Sequence, residues 1–140
     1  MTLLVAFFAA LSAAIIVVTF FQTMAVYPSL TQFPLHLDWK GRASGLGPRG
    51  LAFLVPGIQI VVATVLAFAG YAIAAGAPGA HGNRLSVSII GVCMAALTWR
   101  VQLLLIASAR SGGQPVPMRG FWLFFVVWIV AVEFAAFGTY

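Results

Sequence analysis

The chain has 140 residues, of which 63% are hydrophobic and 6% charged, with a mean hydropathy of +1.10. Soluble domains carry about a quarter charged residues, so a globule of 14.8 kDa cannot bury this much apolar side chain, and the solvent for most of it must be lipid. The net charge of +5 does not indicate nucleic acid, because the basic residues stand between apolar runs, where the positive-inside rule puts them. The single cysteine, Cys93, excludes an intrachain disulfide and a thiolate metal cluster.

In chain order, the first apolar run predicts a helix over about 3–25, long enough to cross a hydrocarbon core of about 30 Å. No Lys or Arg precedes it, so the basic start of a signal peptide is missing, and it reads as a retained helix entering from outside. Ala6, Ala10 and Ala14, and Ala9 with Ala13, have the spacing that lets helices approach closely in lipid. Gln22 and Thr23 mark its inner end.

Residues 26–56 are the most distinctive stretch. They hold four of the seven prolines, the sole Lys, one of two His and one of two acidic residues. Polar sequence broken by Pro and Gly cannot face lipid, so the 26–49 segment is expected as a structured loop at the membrane surface. Leu35 to Trp39 alternates apolar and polar, which suits a short extended segment. Gly41, Gly45 and Gly47 supply turns.

The second helix is expected over about 50–75, with Pro56 in its first turns and Gln59 as its strongly polar interior residue. Pro56 is tolerated if a neighbour satisfies the carbonyl it frees. The third helix covers about 84–107 and carries Arg100 and Gln102; the fourth covers about 119–138 and carries Glu133. The fold class expected is therefore an all-α membrane protein, one domain over 1–140, with four transmembrane helices in two hairpins. Five Lys and Arg flank the loops after helices one and three, against Arg84 alone on the other side. That asymmetry puts loops 26–49 and 108–118 in the cytoplasm and both termini outside. Six Arg to one Lys, with abundant Ala, fits a GC-rich bacterial genome and hence a bacterial inner membrane.

His36 and Asp38 are spaced to face one side of an extended segment. Either they contribute to a metal or proton site, or they cap and pin the loop by hydrogen bonds. A zinc site needs three or four ligands, and His81 falls across the membrane, so the second reading is preferred and no metal is expected. There is no nucleophile elbow, Cys/His dyad or phosphate loop, so neither an enzyme nor a cofactor is expected. Arg100 and Glu133 are intramembrane charges and hence functional candidates. Helix directions place Arg100 toward the cytoplasmic face and Glu133 toward the outside, so each is expected to snorkel rather than pair. Gln22, Gln59, Arg100 and Gln102 then form either a polar floor beneath the His36 loop or separate contacts to neighbouring backbones.

Tyr27-Pro28-Ser29-Leu30, Pro34-x-His36-x-Asp38-x-x-Gly41, Gly47-Pro48-Arg49 and Pro56 together resemble a bacterial membrane domain family of unknown function, which also forms the N-terminal part of SdpI-type immunity proteins. Thr31, Ser44 and Leu46 depart from its usual Pro, Asp and Trp. The resemblance implies an accessory, immunity or signalling protein acting through helix and loop contacts. Its expected partners are the lipid bilayer and other transmembrane helices, in a homo-oligomer or a larger complex, and not nucleic acid. The alternative is a structural transmembrane subunit of a larger complex, such as an energy-transducing or pigment-protein assembly, for which a fourth helix rich in Phe and Trp is the support. A small transporter is a third class.

Overall fold

The structure is a computed structural model that describes residues 2–76, 83–112 and 114–137, with side chains described to 134. Among the described residues there are four α-helices: α1 (Thr2–Val26), α2 (Leu54–Ala74), α3 (Arg84–Arg110) and α4 (Arg119–Phe137). Three helical stretches, Thr2–Ser29, Arg49–Ala74 and Arg84–Arg110, are long and apolar enough to cross a membrane. The chain is thus a membrane protein. The expectation of an all-α chain is corrected by a two-stranded antiparallel sheet between α1 and α2, made of β1 (Gln32–Leu37) and β2 (Ala43–Pro48).

The helix boundaries follow local chemistry. α1 passes at Val26 into a 3-10 turn, Tyr27–Ser29, with Pro28 at its start. A second 3-10 turn, Arg49–Phe53, precedes α2, which begins at Leu54 rather than near Gly50. Pro56 then falls within the first α-helical turn. α3 is capped by the Asn83 side chain, which accepts from the Leu85 amide, and it runs on to Arg110, past the expected end at 107.

Hydrogen bonds give the helix directions. Ser12 Oγ donates to the Gly91 carbonyl, Trp99 Nε1 to Gln22 Oε1, and Gln102 Nε2 to Thr23 Oγ1. These pairs keep sequence separations of 79, 77 and 79, so α1 and α3 run parallel in fixed register. Between α2 and α3, Ala52 meets Gln102 while Gln59 meets Ala95, so one number rises as the other falls and the pair is antiparallel. α4 is likewise antiparallel to α3: Arg100 reaches Gly120, and Trp128 Nε1 donates to the Cys93 carbonyl at 2.6 Å. Phe121, Phe125 and Trp128 stack along that helix at centroid spacings of 6.0 and 5.7 Å.

A lone two-stranded hairpin is marginal in water, and this one is held by packing. Leu30 and Phe33 are 4% and 2% exposed and join Ala52, Leu105 and Ile106 in one apolar cluster at the end of α3. The strands pair in the register Phe33↔Gly47, Pro34↔Leu46 and His36↔Ser44. At the turn, the Asp38 amide donates to the Arg42 carbonyl and Gly41 N to the Asp38 carbonyl, both at 2.9 Å. Gly41 has φ +77°, and its own carbonyl accepts from the Val116 amide at 3.0 Å, tying the hairpin tip to the segment leading into α4.

Gly41 is a position where the backbone demands glycine. A left-handed conformation costs an L-residue about 1–2 kcal/mol, and a Cβ there would run into the Val116 carbonyl oxygen. Gly41→Ala is expected to lower the melting temperature of the detergent-solubilised protein by an amount equivalent to at least about 2 kcal/mol. Gly50→Ala, where nothing lies within 4 Å of the added carbon, should leave it nearly unchanged. Equal melting of both variants would contradict the tie.

Candidate functional site

The hairpin sits on a ladder of buried polar side chains that runs between α1, α2 and α3. Lipid offers no hydrogen bonds, so a Thr or Gln in a membrane helix must find partners inside the protein. Thr19 and Thr23 are 0% exposed and bond back to the carbonyls of Ile15 and Thr19 at 2.8 Å each, which leaves their oxygens free to accept from other helices. Gln59 Nε2, on α2, donates to Thr98 Oγ1 at 2.8 Å, the Ala95 carbonyl at 3.1 Å and Thr19 Oγ1 at 3.4 Å. One layer nearer the hairpin, Gln102 Nε2 donates to Thr23 Oγ1 and to the Ala52 carbonyl, both at 2.9 Å.

The Ala52 contact has a covalent origin. A helical proline removes the bond to the carbonyl four residues earlier, and for Pro56 that carbonyl belongs to Ala52. Gln102 supplies the missing donor from another helix, while Ala52 and Pro56 are both buried. The neighbour required by Pro56 is therefore Gln102. A carbonyl acceptor on each rung fixes the amide orientation, since only an NH2 can point there. The oxygens Gln59 Oε1 and Gln102 Oε1 are left buried with no protein partner, as is Ser108 Oγ. Gln59 lines a chamber of about 10 Å³ with Ser12, Gly91 and Thr98, roughly the space one water needs.

Of the residues expected in a polar floor, Gln59 and Gln102 stand in successive layers of the ladder, while Gln22 accepts from Trp99 Nε1 instead. Arg100 stands outside the ladder. Its guanidinium lies over the start of α4, 3.3 Å from where a Gly120 Cβ would stand. Glu133 is exposed, thirteen residues and about 20 Å further along α4 from Gly120, and no ion pair joins it to Arg100 among the described residues. Trp99 and Trp128 are packing residues whose indole N–H groups each find an oxygen.

The loop residues divide by role. Tyr27 is covered by the Arg49 guanidinium, 5.0 Å from its ring centroid, and by the Phe53 ring at 5.2 Å. Pro34 is buried in β1, whereas Pro28 is exposed. Asp38 Oδ1 accepts from the Lys40 and Arg42 amides at 2.8 Å each, an Asx-type cap of the hairpin turn. This corrects the expected pin: no hydrogen bond or ion pair joins His36 to Asp38 among the described residues, and His36 is exposed on the strand. Its carboxylate partner is taken by the backbone. His81 lies outside the described residues. No three His, Cys, Asp or Glu side chains gather as a metal site among the described residues.

Sequence reading missed the ladder roles of Thr19, Thr23 and Thr98. The signal was present in the i, i+4 spacing of Thr19 and Thr23, which places both on one helix face. No family model matches the chain, nor does any curated protein or solved structure.

Two stability experiments test this assignment. Gln102→Leu should cost about 1–3 kcal/mol, because it strands the Ala52 carbonyl in a dry interface. Pro56→Ala returns an amide to that carbonyl, so the double variant should lose clearly less than the sum of the single losses; strict additivity would refute the pairing. Asp38→Ala should lower the melting temperature by the equivalent of about 1 kcal/mol, and His36→Ala by less than about 0.5 kcal/mol. A larger effect at His36 would reverse the assignment of roles.

Proposed function

We propose that the chain is a four-span bacterial inner-membrane protein of SdpI-like type, an accessory, immunity or signalling protein without catalytic activity. In this reading α4 is the fourth span: its 19 residues reach about 28 Å. Both termini lie outside. The hairpin and the segment leading into α4 lie at the cytoplasmic face, with Lys40, Arg42, Arg49, Arg110 and Arg119 around them.

The observation that carries the proposal is the rigid hairpin. Its buried residues, Phe33 and Leu30, anchor it to α3, while Leu35, Trp39 and Leu46 are left 46%, 71% and 62% exposed, Leu35 and Leu46 on opposite faces of the strands, with Lys40 over the Trp39 ring at 4.7 Å. Exposed aromatic and apolar side chains on a fixed backbone, rimmed by cations, suit recognition of another protein at the membrane surface. Activity then resides in contacts and not in bond making.

A second reading, a structural subunit, is supported by α4. It packs along α3 and leaves Trp122, Leu123, Val126, Val127, Val130 and Phe134 exposed, a face for lipid or for a partner helix.

Two experiments test these readings. A cysteine at Ser44 in a Cys93→Ala background should resist an impermeant thiol reagent in intact cells and react after permeabilisation; labelling of intact cells would overturn the orientation. Purification in mild detergent should recover a partner whose retention drops by about tenfold in a Trp39→Ala, Leu46→Ala variant, the loss of one or two interface anchors. A stoichiometric assembly indifferent to those changes and broken by substitutions on α4 would favour the subunit.

A further inference from the structure

At the end of the bundle opposite the hairpin, α1, α2 and α3 enclose a cleft of about 440 Å³. Its size falls within the range of small-molecule sites. Its walls are made largely from small residues: Ala9 and Ala13, whose spacing predicts close helix approach, with Ala67, Gly70 and Gly91. Here they make room instead. Gly70 has nothing within 4 Å of where its side chain would begin.

Two polar features give the cleft a direction. Arg84 and Tyr71 line it where α3 begins and α2 ends, and both are exposed. No ion pair engages Arg84 among the described residues, and it is the one Lys or Arg among them at this end of the helices. At the inner end, Ser12, Ile16, Ala63 and Gly91 border both the cleft and the one-water chamber beneath Gln59. Gln59 is 3% exposed, and its Oε1 has no protein partner. A chamber that narrow, under an unpaired carbonyl oxygen, does not accept a methylene chain. The apolar part of the cleft is therefore bounded, and from Arg84 to Gly91 it is about 10 Å deep.

We propose that this cleft binds an amphiphile with an anionic head group, the head on Arg84 and Tyr71 and the head-proximal part of one apolar chain lying between α1, α2 and α3 down to Gly91. Small side chains let the chain contact three helix backbones at once. The guanidinium supplies a fork of donors that fits a carboxylate or phosphate. The same chemistry is offered by a free fatty acid and by an anionic phospholipid of the surrounding bilayer.

The test uses the full chain in nanodiscs of neutral phosphatidylcholine. Three probes carry a photoreactive diazirine in the chain: a fatty acid, a phosphatidylglycerol and a phosphatidylcholine. One or both anionic probes should label peptides of the cleft about fivefold more than the phosphatidylcholine probe, the preference that one cation near the surface gives. The anionic probe that labels more strongly identifies the source. Arg84→Gln should bring the three probes to parity. Gly70→Leu fills the cleft from a position with free space, and it should remove most of the labelling while the melting temperature holds. Ala67→Leu serves as a second block from the same wall. Equal labelling by all three probes in the unaltered protein would overturn the proposal. So would labelling that survives a folded Gly70→Leu or Ala67→Leu variant.

Discussion

The Ala52 carbonyl must have a donor, and Pro56 denies it the one its own helix would supply. In a membrane interior that deficit has no aqueous remedy. Gln102 meets it from α3, and the same NH2 group reaches Thr23 on α1. One side chain thereby joins three helices at the level where the hairpin docks. The register of α1 against α3, the start of α2 and the seating of Phe33 over Leu105 and Ile106 all follow from that junction.

The hairpin solves a connection problem. α1 runs parallel to α3 and α2 antiparallel to it, so the chain needs a reversal between α1 and α2. A bare loop at that place would carry its polar backbone along the membrane surface without fixed partners. The paired strands satisfy most of those groups, the Asp38 cap closes the turn, and Val116 takes the Gly41 carbonyl from the other side. The basic residues ring this structured end, so charge and rigidity coincide at one face of the molecule.

The helices were legible because apolar runs of membrane length have few competing interpretations. The requirement for a donor opposite Pro56 was legible too, though not its identity. The hairpin was visible only as alternation from Leu35 to Trp39. Its partner strand, ASGLGP, has no apolar alternation and pairs by adjacency to β1 and by packing, neither of which a local pattern contains. His36 and Asp38 suggest a pair because i and i+2 share a face of an extended chain. Asp38 instead lies beyond the last strand residue, where a carboxylate finds two backbone amides closer than any side chain. Arg100 shares its helix with Gln102, but two residues along a helix turn the side chain toward a different neighbour, and depth alone does not reveal that.

The polar ladder also sets an order of assembly. Ribosomal synthesis delivers α1 and α2 before α3, yet every partner of the Gln59 amide except Thr19 belongs to α3, as does the amide that serves Thr23 and Ala52. Until Ala95, Thr98 and Gln102 arrive, the first two helices sit in lipid with amide and carbonyl groups unmatched. The nascent hairpin likewise lacks Leu105 and Ile106 beneath Phe33. A chain interrupted before residue 102 therefore leaves the membrane with an exposed amide, a starved carbonyl and an undocked hairpin, the kind of intermediate that membrane quality control is equipped to notice.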